Sequence, residues 1–173
     1  MILVENMKVK EKTKIIVGIG EFKVAKAPAE LITFNLGSCV GIALYDVMHK
    51  IGGLAHVALP CSASTGSLHQ QNSRFADVAL PLMLKKMEEM GARRSFMVAK
   101  IAGGADMFGL PPGTPSQFDI GRQNVEKVKK YLQEAGIMVV AEEILGNIPR
   151  TMEFDLTTGK IMLKTAQMET RYL

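Results

Sequence analysis

The chain has 173 residues, 47% hydrophobic and 22% charged, which fits one globular domain with a sizeable core and excludes a disordered or low-complexity chain. The net charge of +4 comes from lysines and arginines scattered along the sequence, not from a basic stripe interleaved with aromatics, so nucleic-acid binding is not expected. No apolar run is long enough to cross a bilayer, and two cysteines, Cys39 and Cys61, make neither a disulfide framework nor a structural zinc site.

Residues 1–14 are lysine-rich without the apolar core of a signal peptide. They read as an N-terminal extension to a domain over 15–173, in a cytoplasmic protein with no direct membrane insertion. Residues 15–27 predict a strand interrupted at Gly18 and Gly20. No helix opens after those glycines, which argues against a dinucleotide fingerprint. A short strand over 30–34 then leads into Asn35-Leu36-Gly37-Ser38, whose residue types favour a tight turn.

Cys39 follows that turn. The apolar runs Val40 to Tyr45 and Ile51 to Leu59 flank a polar segment and predict an antiparallel hairpin. With a loop over Asp46–His49, Tyr45 pairs with Lys50 and Cys39 with His56, on one face of the sheet. Val40, Ile42, Leu44, Ala55, Val57 and Leu59 then face the opposite side and are expected in the core. Gly41 and Ala43, on the cysteine's face, are expected to leave space beside the sulfur. Backbone N–H groups of the turn, at Cys39 and Ser38, are the candidate donors for the oxyanion of an acyl-transfer intermediate.

Residues 61–73 are small and polar and read as a loop able to lie over the site. His69 and Cys61 within it, and His49 in the hairpin turn, are taken as surface residues. Residues 74–90 predict an amphipathic helix ended by Gly91, with Phe75, Val78, Leu82 and Met87 inward. Pro81 either kinks that helix or marks its true start. Met83, Met87 and Met90 read as core filler. A strand over 96–101 is followed by the turn Gly103 to Phe108, which lacks the continuation of a phosphate loop. Phe108, exposed there, would be a partner contact. Residues 121–135 predict a second helix with Val125, Val128 and Leu132 inward and Gly136 closing it. A strand over 137–144 and a hairpin over 151–164, turning at Thr157-Thr158-Gly159, complete an α/β domain with mixed sheets.

The segments LGSCVGIALYD and GGLAHVALP resemble the chemoreceptor glutamine deamidase family, CheD, of bacterial and archaeal chemotaxis. RFADVALPLML, AKIAGGADMF, IGRQNVEKVKKYL and RTMEFDLTTGKIML extend the resemblance in order over residues 15–164. The resemblance implies packed mixed β-sheets with flanking helices, similar to the cysteine-dependent glutamine deamidase toxins of the cytotoxic necrotizing factor type. It implies a protein-glutamine glutaminase, an amidohydrolase with Cys39 as nucleophile, His56 as base and Thr33 completing the set, with no metal or other cofactor. It also implies chemoreceptor cytoplasmic helices as substrate and a CheC-type chemotaxis phosphatase as partner. The alternative is a non-catalytic module of the same fold that docks receptors or the phosphatase. Where the family pattern has paired glycines, this chain has Leu145 before Gly146, with Pro149 close behind.

Overall fold

The computed structural model describes residues 11–62 and 72–173; His69, most of the polar loop around it and the first ten residues lie outside the described residues. Among the described residues, the domain has two five-stranded sheets and two α-helices. Strands β1 (Thr13–Ile16), β3 (Ala29–Leu36), β8 (Arg150–Asp155), β9 (Lys160–Thr165) and β10 (Thr170–Tyr172) form one sheet in the order β1-β3-β8-β9-β10. The other runs β2-β5-β4-β6-β7, from β2 (Phe22–Lys26), β5 (Ile51–Val57), β4 (Val40–Asp46), β6 (Met97–Gly103) and β7 (Met138–Ile144). Both sheets are mixed, because β1 runs parallel to β3 and β6 parallel to β7 while the other pairs are antiparallel. The α/β class with mixed sheets is thus the one expected.

The layers are helices, second sheet, first sheet. Helices α1 (Ala76–Glu89) and α2 (Ile120–Glu134) pack on the outer face of the second sheet through Leu80, Met83, Val128 and Leu132. Its inner face shares a core with the first sheet, built from Leu31, Leu36, Leu54, Met152 and Phe154. With both faces covered, every residue of β4 and β5 is buried. That is why their sequences are continuous apolar runs; β8, with one face turned outward, alternates instead.

The expected strand over 15–27 is two strands in two different sheets. Gly18 and Gly20 mark the crossover between them, and the Gly20 N–H donates to His56 O (2.9 Å). Helix α1 also differs from expectation. It begins at Ala76 and continues through Pro81, and its buried stripe is Ala76, Ala79, Leu80, Met83, Leu84 and Met87. Val78 is only half-buried, and Leu82 and Met90 are exposed. The apolar composition of the segment offered two stripes, and the packing against β5 selected the one rotated from the stripe expected.

The hairpin loop is four residues, as expected, but one position later, over 47–50, so that Asp46 pairs with Ile51 and Gly41 with His56. Buried Asp46 explains the displacement. Its carboxylate accepts from the N–H groups of Met48 (2.9 Å), His49 (2.9 Å) and Arg93 (2.7 Å), so it belongs to the strand end and caps the turn. Because the slip is two residues in pairing, side-chain parity is unchanged. Val40, Ile42, Leu44, Ala55 and Val57 face the helices in the core, while Leu59, beyond the end of β5, is only half-buried.

Candidate active site

The site lies at the end of β4 and β5, where the two sheets meet. His56 of β5 is buried and faces the first sheet, where Thr33 of β3 is also buried. Thr33 Oγ1 sits 2.7 Å from His56 Nδ1 and 2.7 Å from the carbonyl oxygen of Val17. A carbonyl only accepts, so the single hydroxyl proton of Thr33 is committed to Val17. The contact with the ring must therefore be Nδ1–H donating to Oγ1. This fixes the tautomer, with the lone pair on Nε2. Nε2 is buried and has no hydrogen-bond partner among the described residues, an uncommon state for a buried polar atom and one suited to an atom that awaits a proton.

Cys39 lies one residue before β4 and is half-buried, its side chain packed with the inter-sheet core. Extending the Gly41–His56 and Val40–Val57 pairs by one step sets Cys39 opposite Ala58, with His56 as its diagonal neighbour on the same face. Diagonal pairs in an antiparallel ladder are about 7–8 Å apart at the backbone, which longer side chains span. The direct Cys39–His56 pairing expected from sequence is therefore replaced by a diagonal one.

Three successive carbonyls of the cysteine turn are each held by a hydrogen bond. Gly37 O accepts from Ala105 N (2.8 Å), Ser38 O from Asn124 Nδ2 (2.9 Å) and Cys39 O from Gly104 N (2.8 Å). The paired glycines that read as a plain turn are the support beneath the cysteine. Gly103 has φ +112° and Gly104 φ +69°, and a Cβ on Gly103 would collide with the Cys39 carbonyl oxygen.

Burial pushes the Cys39 thiol up from its ordinary value, opposed by the positive charge of Arg74 and the N–H of Cys39 itself. Burial pushes the His56 imidazole down to about 4. Both shifts disfavour a resting thiolate–imidazolium pair and favour a neutral thiol beside a neutral imidazole.

Other candidates fall elsewhere. Cys61 Sγ donates to Asp77 Oδ2 (3.2 Å), and His49 Nδ1 pairs with Asp46 Oδ2 (2.7 Å) at the far end of the hairpin. Gly41 does not open a space beside the sulfur. A Cβ there would lie 2.8 Å from Leu36 Cδ1 and 2.9 Å from Met152 Sδ, so the glycine admits the facing core rather than a substrate. Phe108 is 79% exposed, and its neighbour Met107 packs against Gly37 of the cysteine turn. Val17, Arg74 and Asn124 went unnoticed as site residues in the sequence. A main-chain acceptor has no sequence signature, and Arg74 and Asn124 belong to segments that read as ordinary amphipathic helices.

No group of His, Cys, Asp and Glu among the described residues could hold a metal ion. A thiol on the same face as an imidazole nitrogen that bears a lone pair is an arrangement competent for acyl transfer through sulfur. Comparison with known proteins points to one family. The family model described as CheD chemotactic sensory transduction matches residues 58–165. The "Probable chemoreceptor glutamine deamidase CheD" of Clostridium botulinum is 45% identical over 158 residues, 91% of this chain and 96% of the relative. The protein of the same description from Clostridium novyi is 45% identical over 160 residues, 92% of this chain and 98% of the relative. The chain belongs to the CheD family.

Proposed function

We propose that this protein is a cytoplasmic chemoreceptor glutamine deamidase, hydrolysing glutamine side chains of receptor cytoplasmic helices to glutamate and ammonia. The observation that carries the reading is the orphaned, lone-pair-bearing Nε2 of His56, its tautomer set by Thr33, on the same face as Cys39. Cys39 Sγ attacks the carboxamide carbon while its proton passes to Nε2. The C–N bond then breaks as Nε2 returns that proton to the leaving nitrogen, releasing ammonia and leaving a thioester. Water adds to the thioester carbonyl, its proton again taken by Nε2, and the C–S bond breaks to give glutamate and the thiol. The Cys39 N–H is the first oxyanion donor and Ser38 N–H the second candidate. No step requires a metal or cofactor, since sulfur supplies the nucleophile.

The names of the Clostridium relatives support the substrate class. Incubation with a receptor cytoplasmic fragment should release ammonia and convert specific glutamines to glutamate by mass spectrometry. A folded Cys39→Ala variant should release none; wild-type rates from that variant would refute the mechanism.

Phe108 is the proposed partner contact, for a CheC-type phosphatase. Its support is exposure together with its link, through Met107, to the cysteine turn, which would let a bound partner cover the site.

A further inference from the structure

Asn124 stands in the second turn of α2, on the opposite side of the second sheet from the inter-sheet core, and is fully buried. Its Nδ2 donates to Ser38 O (2.9 Å) and Ala58 O (3.0 Å). Both partners can only accept, so the amide has one sensible orientation, with Oδ1 turned away. There Oδ1 is buried and unpaired among the described residues. An apolar residue would avoid stranding that acceptor, and the neighbouring inward positions of α2, Val125, Val128 and Leu132, are apolar. The amide must therefore be of use where its donors go.

They go to both sides of the reacting pair. Ser38 O and Cys39 N–H belong to one trans peptide, in which C=O and N–H point in opposite directions. Drawing Ser38 O toward α2 turns Cys39 N–H toward the inter-sheet face, where the sulfur packs. Ala58 lies opposite Cys39 in the extended register and two residues beyond His56, so the second bond ties the nucleophile turn to the strand that bears the base. Together, the two bonds set the aim of the N–H and the spacing between turn and strand.

We propose that Asn124 is a positioning residue for glutamine hydrolysis, which aims the Cys39 N–H as an oxyanion donor and holds the cysteine turn against the histidine strand. The proposal rests on the deamidase reading above.

The test compares two reactions of the same sulfur. Alkylation by iodoacetamide forms an S–C bond with loss of iodide and develops no oxyanion. A peptide carrying glutamate semialdehyde instead forms a thiohemiacetal: Sγ bonds to the aldehyde carbon, the C=O π bond opens, and the thiol proton ends on the new oxygen. Asn124→Ala should weaken the thiohemiacetal and lower kcat for a glutamine substrate, each by roughly 100-fold, the order seen when an oxyanion donor is lost. KM and the pH profile of Cys39 alkylation should stay near wild type. If Asn124→Ala does not fold, Asn124→Ser, which keeps one donor, carries the same comparison.

Alkylation and adduct stability falling in parallel would mean a general loss of site structure and would overturn the proposal, as would an unchanged adduct. A wild type that traps the aldehyde but releases no ammonia from glutamine would refute the deamidase reading, and the adduct comparison would still decide the role of Asn124. A wild type that does neither overturns both.

Discussion

Acidification should destabilise this fold through one residue before the carboxylates titrate. Burial holds His56 at about 4 in the folded protein, against an ordinary 6.5. Between those values the unfolded chain binds a proton at this histidine that the folded chain does not, so stability must fall as pH drops below 6.5 and level off near 4. The gap is 6.5 less 4, about 2.5 pH units. At about 1.4 kcal/mol per unit, the full loss is ~3.5 kcal/mol, roughly 3 of it between pH 7 and pH 4, a large share of a typical domain's ~5–15 kcal/mol. Asp46 and Asp155 also titrate below the ordinary carboxylate value, burial opposing the shift and hydrogen bonds prevailing. Their contribution therefore belongs to lower pH. The assay is urea unfolding at pH 7, 6, 5 and 4 and fixed ionic strength, for wild type and His56→Asn. Asparagine keeps an N–H donor for Thr33 and does not titrate, so the wild type minus variant difference cancels the carboxylates. That difference should shrink by about 3 kcal/mol from pH 7 to pH 4. Parallel stability curves would refute the reasoning. The same depressed value should place the acid limb of kcat/KM near 4 rather than 6.5.

Thr33→Ala should lower kcat by roughly 10- to 100-fold, less than the loss in Cys39→Ala, because the ring loses its tautomer anchor but keeps a basic nitrogen; a loss as complete as that of Cys39→Ala in steady-state assays would give Thr33 a direct chemical role. Gly41→Ala should cost about 1–3 kcal/mol of stability by overpacking, measured by denaturant unfolding, because its Cβ would press on Leu36 and Met152. A neutral result would show that this part of the core can yield. Arg74→Gln should raise the pH midpoint of Cys39 alkylation, since removing the cation leaves burial unopposed except by the local N–H; an unshifted midpoint would show that the charge does not reach the sulfur.

The local chain signals were legible where one residue type or one period decided them. The two-residue period of a strand, applied along Val40 to Tyr45 and Ile51 to Val57, set the faces correctly, and that assignment survived a wrong loop position because the slip was even. Val125, Val128 and Leu132 announced the inner stripe of α2. What stayed hidden depended on contacts between distant segments. Nothing within residues 15–27 shows that its two halves join different sheets, since a glycine break reads alike as a bulge or a crossover. The emptiness expected beside Gly41 was filled by Leu36 and Met152 from the facing sheet. Gly103 and Gly104 gave the signal of a turn but not its purpose, which is to let a backbone pass beneath Cys39 O.

The division of the site between sheets bears on how it works. In the proposed mechanism the base, His56, lies in the second sheet and the nucleophile, Cys39, one residue before it, while Thr33 lies in the first sheet and Val17, whose carbonyl commits the Thr33 hydroxyl, in the crossover between them. Neither sheet alone determines which ring nitrogen of His56 bears the lone pair. The inter-sheet core of Leu31, Leu36, Met152 and Phe154 therefore does more than stabilise: by holding β3 against β5 it keeps Thr33 Oγ1 within 2.7 Å of the ring. In the proposed mechanism this arrangement would let an enclosed imidazole act as base, because a neutral base needs no counter-ion, only one fixed donor–acceptor contact and a free lone pair. A carboxylate in place of Thr33 would favour the imidazolium and raise the pKa that burial has lowered. The hydroxyl orients the ring without charging it, which suits the proposed mechanism, in which thiol and imidazole are neutral until the substrate carbonyl arrives.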